Sequence, residues 1–176
     1  MILSKPEILK AVKKGDLAVT PFDKKNVGCC SVDLTLSNEF LLFEGKGHHP
    51  LLVHENTYAS EEFKKHTKKV VLKGGNGILL APGELVLGQT KERVRLTQNL
   101  CAKIEGRSRF ARIGLMVHVS SSFVQPGVNN KQVLEIVNFS PFKLVLEPGT
   151  KICQLVFGQV KGKAKYGGVF REQDGF

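Results

Sequence analysis

The sequence has no tryptophan and only two tyrosines among its 176 residues. A single-strand nucleic-acid platform stacks bases on aromatic rings set among cations. No such interleaving is present here, so specific nucleic-acid binding is not expected. Long apolar runs are also missing: none approaches the roughly 18 residues that a membrane-spanning helix needs. The first residues, Met1 to Glu7, lack the basic start and apolar stretch of a secretion signal. A soluble, cytoplasmic protein without membrane association is therefore expected. Cysteine is sparse: Cys29, Cys30, Cys101 and Cys153. Two of the four are adjacent, which does not make a Cys-x-x-Cys clamp, and no His-x-x-x-His spacing accompanies them. Neither a zinc site nor a disulfide framework is expected, and buried free thiols are the default. Acidic residues are few, 16 against 26 Lys and Arg, leaving a formal charge of +10. That balance points toward polyanionic partners such as nucleic acid or nucleotide phosphates.

What is present is enough for one core. Hydrophobic residues make up 41% of the chain, and residues 1–176 read as a single domain. Ser4 and Glu7 have the spacing of a capping box. Pro6 sits in the first turn, Ile8, Leu9 and Val12 form a helical stripe, and Gly15 is a stop, so a short N-terminal helix is predicted. The helical period then disappears. Strands are predicted at 31–36, 39–43, 69–72, 77–80, 84–87, 100–104, 115–119, 132–137, 143–146 and 152–157. Several are separated by turn signals such as Pro82-Gly83, Pro126-Gly127 and Pro148-Gly149. Many short strands at short spacing predict a mainly β fold: barrel, sandwich or jelly roll. Two stretches depart from the pattern. Residues 48–68 form a polar excursion that opens with the pair His48-His49. Residues 158–176 carry five glycines and four Lys or Arg, which reads as a mobile basic tail.

Two features carry chemistry. Arg107, Arg109 and Arg112 surround Ser108 between apolar runs. Arginine recognises phosphate bidentately, and a hydroxyl among arginines can bind phosphate or orient a water. A solvated basic turn is the plainer alternative. The second feature is Glu135, a carboxylate inside the run Val133-Leu134-Glu135-Ile136-Val137. Period 2 places Val133, Glu135 and Val137 on one face and Leu134 and Ile136 on the other. Alternation leaves open which face is buried.

The run from Glu105-Gly106-Arg107-Ser108 to Val119, then Pro126-Gly127, Val133-Leu134-Glu135, Pro148-Gly149 and Gln154-Leu155, resembles the dCTP deaminase branch of the dUTPase-like superfamily. Ile2-Leu3-Ser4, Ser31-Val32-Asp33-Leu34 and Pro82-Gly83-Glu84 resemble it too. The resemblance covers most of the chain except about residues 44–75. It implies a distorted β-barrel or jelly roll of the dUTPase-like type, assembled as a homotrimer with sites at subunit interfaces. The implied reaction is zinc-independent deamination of dCTP to dUTP and ammonia. Glu135 would be the general acid–base. Ser108 and the backbone of Ser121 would hold the water, and Arg112 would support the developing charge. Arg107 and Arg109 would face the phosphates. Gln125, Val133, Leu134, Gln154, Lys165 and Tyr166 would contact the nucleotide. Mg2+ would arrive on the triphosphate, with no protein side chain as its ligand, and dTTP is an implied inhibitor.

Several positions depart from the family pattern, among them Ser120-Ser121 in place of Thr-Ala and Arg109 in place of a second Ser. Gln125 stands where an Asp is usual; in the dUTP-hydrolysing branches that Asp activates the water that cleaves the triphosphate. Val128 replaces an aromatic or other bulky residue, and Val169 stands where Gln is common. These departures keep two alternatives open: a bifunctional enzyme that also gives dUMP and pyrophosphate, disfavoured by Gln125, and an inactive nucleotide-binding homologue.

Overall fold

The computed structural model describes residues 1–44 and 50–176; the expected loop pair His48-His49 lies outside them. In chain order the elements are α1 (Lys5–Lys14), β1 (Leu17–Thr20), β2 (Ser31–Phe43), α2 (Glu61–Lys65), β3 (Thr67–Val71), β4 (Ile78–Leu80), β5 (Leu85–Leu96), β6 (Leu100–Gly106), α3 (Ser108–Ala111), β7 (Leu115–Met116), β8 (Phe123–Val124), β9 (Asn129–Asn138), β10 (Leu144–Leu146) and β11 (Lys151–Gln159).

Nine of the strands form one sheet in the order β7-β9-β5-β2-β11-β6-β8, with β1 added to β5 and β3 added to β2; β4 and β10 pair separately. Every pairing is antiparallel. The sheet curls because its long strands change partners. β5 pairs with β2 up to Thr90 and with β1 from Arg93 onward, and its register against β9 shifts between Gln89 and Arg93. Such an irregularity frees ladder groups that must find other partners. They do: Glu92 Oε2 accepts from Thr35 N at 2.8 Å, Thr90 Oγ1 donates to Glu92 O, and Gln132 N donates to Thr90 Oγ1.

This corner is where sequence pattern misleads. The polar run Gln89-Thr90-Lys91-Glu92 reads as the end of a strand at 87, yet β5 continues to Leu96 with Gln89, Thr90 and Glu92 buried. The two runs at 31–36 and 39–43 are one strand, and β1 and β8 were not anticipated. The strand expected at 115–119 stops at Met116.

Inward positions of both sheet halves fill one core that includes Phe40, Phe157, Leu134, Ile136 and Leu155. Helix α1 closes one end with Ile8 and Ala11 buried, and Gly15 caps it at φ 77°. The capping box does not close. Ser4 contributes only its carbonyl, to Ile8 N at 2.8 Å, and its side chain makes no cap bond.

The tail begins later than residue 158, since β11 runs to Gln159. It then lies against the body. Val160 N bonds to Asn99 O, Ala164 N to Gln98 O and Tyr166 N to Pro126 O, and Lys131 N donates to Gln173 O. Asp174 pairs with Arg93.

Candidate active site

β9 decides where Glu135 points. Leu134 and Ile136 are fully buried in the core, which turns Val133 and Glu135 to the opposite face. Across the ladder Glu135 sits opposite Leu87 of β5. The segment after β7 crosses above it, anchored by buried Leu115 and Val117. Its amides point down: Val119 N donates to Glu135 Oε2 at 2.9 Å, and Ser120 N to the same oxygen at 3.4 Å. Amide donors on a carboxylate oxygen fix its plane and act as charge-assisted hydrogen bonds. Glu135 Oε1 has no partner among the described residues and is left for chemistry.

Glu135 lines a cavity of about 570 Å³ between the β8–β9 connection, the excursion and the tail. That volume lies within the range of small-molecule sites. Ser121, Phe123, Gln125, Val133 and Tyr166 line it, which brings four of the candidate site residues beside Glu135. Asn130, Gln132, Lys131 and Gln173 add polar groups, and Phe43, Tyr58, Phe63 and Phe170 add rings. Burial pushes the Tyr58 phenol up from its ordinary value.

Leu134 is a correction: its side chain belongs to the core, because period 2 points it away from Glu135. Lys165 lines a separate groove with Arg95, Lys163 and Arg171 while its neighbour Tyr166 faces the cavity.

The arginine cluster sits elsewhere. Arg107 Nη1 meets Asp33 Oδ2 at 3.1 Å and donates to Lys151 O at 3.2 Å. Gln154 pairs in register with Asp33 on one side and Glu105 on the other. Its Oε1 accepts from Ser31 Oγ at 2.7 Å and its Nε2 donates to Gly106 O at 3.4 Å. Beyond them α3 exposes Ser108 and Arg109, and Arg112 follows it, also exposed. Within the chain neither Ser108 nor Arg112 bonds to Glu135 among the described residues, nor does either line the cavity. His118, in the segment that follows β7, has a buried Nδ1 with no partner among the described residues.

Sequence reasoning missed the two amides on Glu135, because any residue type supplies an N–H. It also missed Tyr58 and Phe63, whose charged neighbours made the excursion look solvated.

A family model described as dCTP deaminase-like matches residues 2–160. A relative from Halobacterium salinarum named dCTP deaminase, dUMP-forming, is 36% identical over 183 residues, spanning 99% of this chain and 92% of the relative. Others at 30–36% identity are named dCTP deaminase without that qualifier. Among solved structures, the 2'-deoxycytidine 5'-triphosphate deaminase from Agrobacterium tumefaciens superposes with a TM-score of 0.67 at 17% identity. The superposition covers 91% of this chain and 48% of that one, so the chain spans about half its length. A dUTPase of Staphylococcus bacteriophage 80alpha superposes with a TM-score of 0.51 at 11% identity, covering 87% of this chain and 96% of that one. These two likenesses concern the fold, which is dUTPase-like.

Proposed function

The chain belongs to the dCTP deaminase-like family, and we propose that it is an enzyme that converts dCTP and water to dUTP and ammonia, with Glu135 as general acid–base. The observation that carries this reading is the Glu135 carboxylate, held through one oxygen by the amides of Val119 and Ser120 at the wall of a cavity of nucleoside size. Oε1 takes a proton from the water that attacks C4 of cytosine. That proton goes to N3, and a second transfer from the attacking oxygen to the amine lets ammonia leave. The donors around Glu135 are backbone amides, and the cavity wall carries amide side chains with no His or Cys. This set suits a water activated by a carboxylate better than a zinc-bound one.

A single chain holds the parts of this site apart, which supports a homotrimer. Ser108 and Arg112 of a neighbouring copy would meet Glu135, with Ser108 and the Ser121 backbone holding the water and Arg112 stabilising developing charge. Arg107 and Arg109 would bind the triphosphate, which enters as its magnesium complex, and Gln154 and Tyr166 would complete the nucleotide contacts.

A second reading, deamination followed by release of pyrophosphate to give dUMP, is favoured by the name of the Halobacterium salinarum relative. Gln125 weighs against it, because an amide side chain cannot take a proton from water at neutral pH. Product analysis of dCTP turnover by chromatography and phosphorus NMR separates the readings. dUTP alone supports the first, dUMP with pyrophosphate the second, and unchanged dCTP overturns both.

A further inference from the structure

The cavity has a roof that the mechanism above does not use. It is built by the excursion. Thr57 organises it: buried, its Oγ1 accepts from His54 N at 2.7 Å and donates to Leu52 O at 3.0 Å. Ser60 Oγ then accepts from Phe63 N and caps α2. This fixes two rings five residues apart. Phe63 packs edge-on against Phe43 of β2, with centroids 6.2 Å apart, and Tyr58 packs on Phe63 at 5.3 Å. The next ring is not from the excursion: Phe170 of the tail meets Tyr58 edge-on at 5.8 Å. Phe170 is also held by its backbone, since its carbonyl accepts from Asn130 Nδ2 at 2.6 Å and Asn130 in turn accepts from Gln132 Nε2. All four rings line the Glu135 cavity.

The geometry points to Tyr58 as a positioning residue: its ring docks Phe170 and so holds the C-terminal segment across the mouth of the Glu135 cavity. The functional part of this inference rests on the deaminase reading; the docking itself does not. The contact is ring against ring, edge to face, so the hydroxyl is dispensable. Both rings are partly exposed, at 41% and 44%, so the contact breaks and reforms without unfolding the body. An aromatic pair of this kind shifts an open–closed equilibrium roughly three- to tenfold.

The test is trypsin digestion of the full chain, with cleavage after Lys165 and Arg171 followed by mass spectrometry. Cleavage in a segment that opens quickly tracks the population of the open form. Tyr58→Ala and Phe170→Ala should each be cut roughly three- to tenfold faster, the double variant no faster than either, and Tyr58→Phe at the wild-type rate. Equal cleavage of the wild type and both alanine variants overturns the docking. With dCTP as substrate, Tyr58→Ala should raise KM by a similar factor with kcat within about twofold. Faster cleavage with unchanged KM overturns the positioning role. A wild type that does not turn over dCTP overturns the deaminase reading instead, and the cleavage rates still decide the docking.

Discussion

The amide of Val119 donates to Glu135 Oε2 at 2.9 Å, across 16 residues of sequence, and leaves Oε1 facing the cavity. One oxygen of the carboxylate is held by the backbone, and on the proposed reading the other does the chemistry. That division makes Glu135 separable: its geometry survives substitutions that remove its basicity.

Glu135→Gln therefore keeps the fold and loses the reaction. The amide oxygen of glutamine still accepts from Val119 N, so the melting temperature should stay within a few degrees. Ammonia release from dCTP should fall about 10²–10⁴-fold, the range for loss of a general acid–base. Retained turnover would falsify the assigned role.

Gly114 links the Ser108 helix to the strand that delivers Val119. Its φ is 81°, and a Cβ there would lie 2.8 Å from Ser140 N. Gly114 O also accepts from Phe139 N at 2.8 Å. Gly114→Ala combines left-handed strain with a backbone clash, and should cost about 2–4 kcal/mol. Thermal melts should show a drop of roughly 5–12 °C; a drop under about 2 °C would mean the turn relaxes freely.

The thiols divide by burial. Cys29 and Cys30 are exposed, while Cys153 is buried in the core and its thiol is pushed up, first by desolvation and then by the charges of Glu92 and Asp33. A raised folded pKa means that the native state holds its proton more tightly than the unfolded chain, whose thiol titrates at about 8.5. The Cys153 contribution is fully present below that pH and is lost as pH rises above it. Denaturant melts should show stability falling above about pH 8.5, with a shallower fall in Cys153→Ala. Thiol titration of the native protein should label Cys29 and Cys30 at once and Cys153 only on unfolding. Rapid native labelling of Cys153 would contradict its placement.

How much of this was readable beforehand depends on which force set each feature. The strand cores at 100–104, 132–137 and 152–157 are apolar runs, and burial alone placed them. Glu135, Ser108, Arg107 and Gln154 stood out through motif resemblance, because a motif records side-chain type. The orientation of Glu135 was not, since alternation around it is apolar on both faces; only the packing of Leu134 and Ile136 under β5 resolves it. The corner at Gln89–Arg93 hid itself because its buried groups are polar: Glu92 and Thr90 find distant partners in Thr35 and Gln132, and the Gln89 side chain finds none among the described residues. The ring chain from Phe43 to Phe170 spans 127 positions, and no local pattern signals it.

Gln125 lines the cavity with Glu135, on the β8–β9 connection that carries Pro126 and Gly127. Gly127 holds φ 82° there, and the tail crosses beside it, with Tyr166 N on Pro126 O at 3.0 Å and Arg171 Nε on Gly127 O at 3.3 Å. The turn is thus fixed from both sides, and a substitution at 125 should change chemistry with little change in shape. Gln and Asp differ by one methylene and by the ability to accept a proton. Gln125→Asp places a base in the cavity, and on the proposed reading, in which the reaction stops at dUTP, it should add pyrophosphate release from dUTP. The measurement is a coupled pyrophosphate assay on wild type and variant with dUTP as the sole substrate. Wild-type release already at the rate of deamination would show that the amide is no barrier, and would move the product assignment to dUMP.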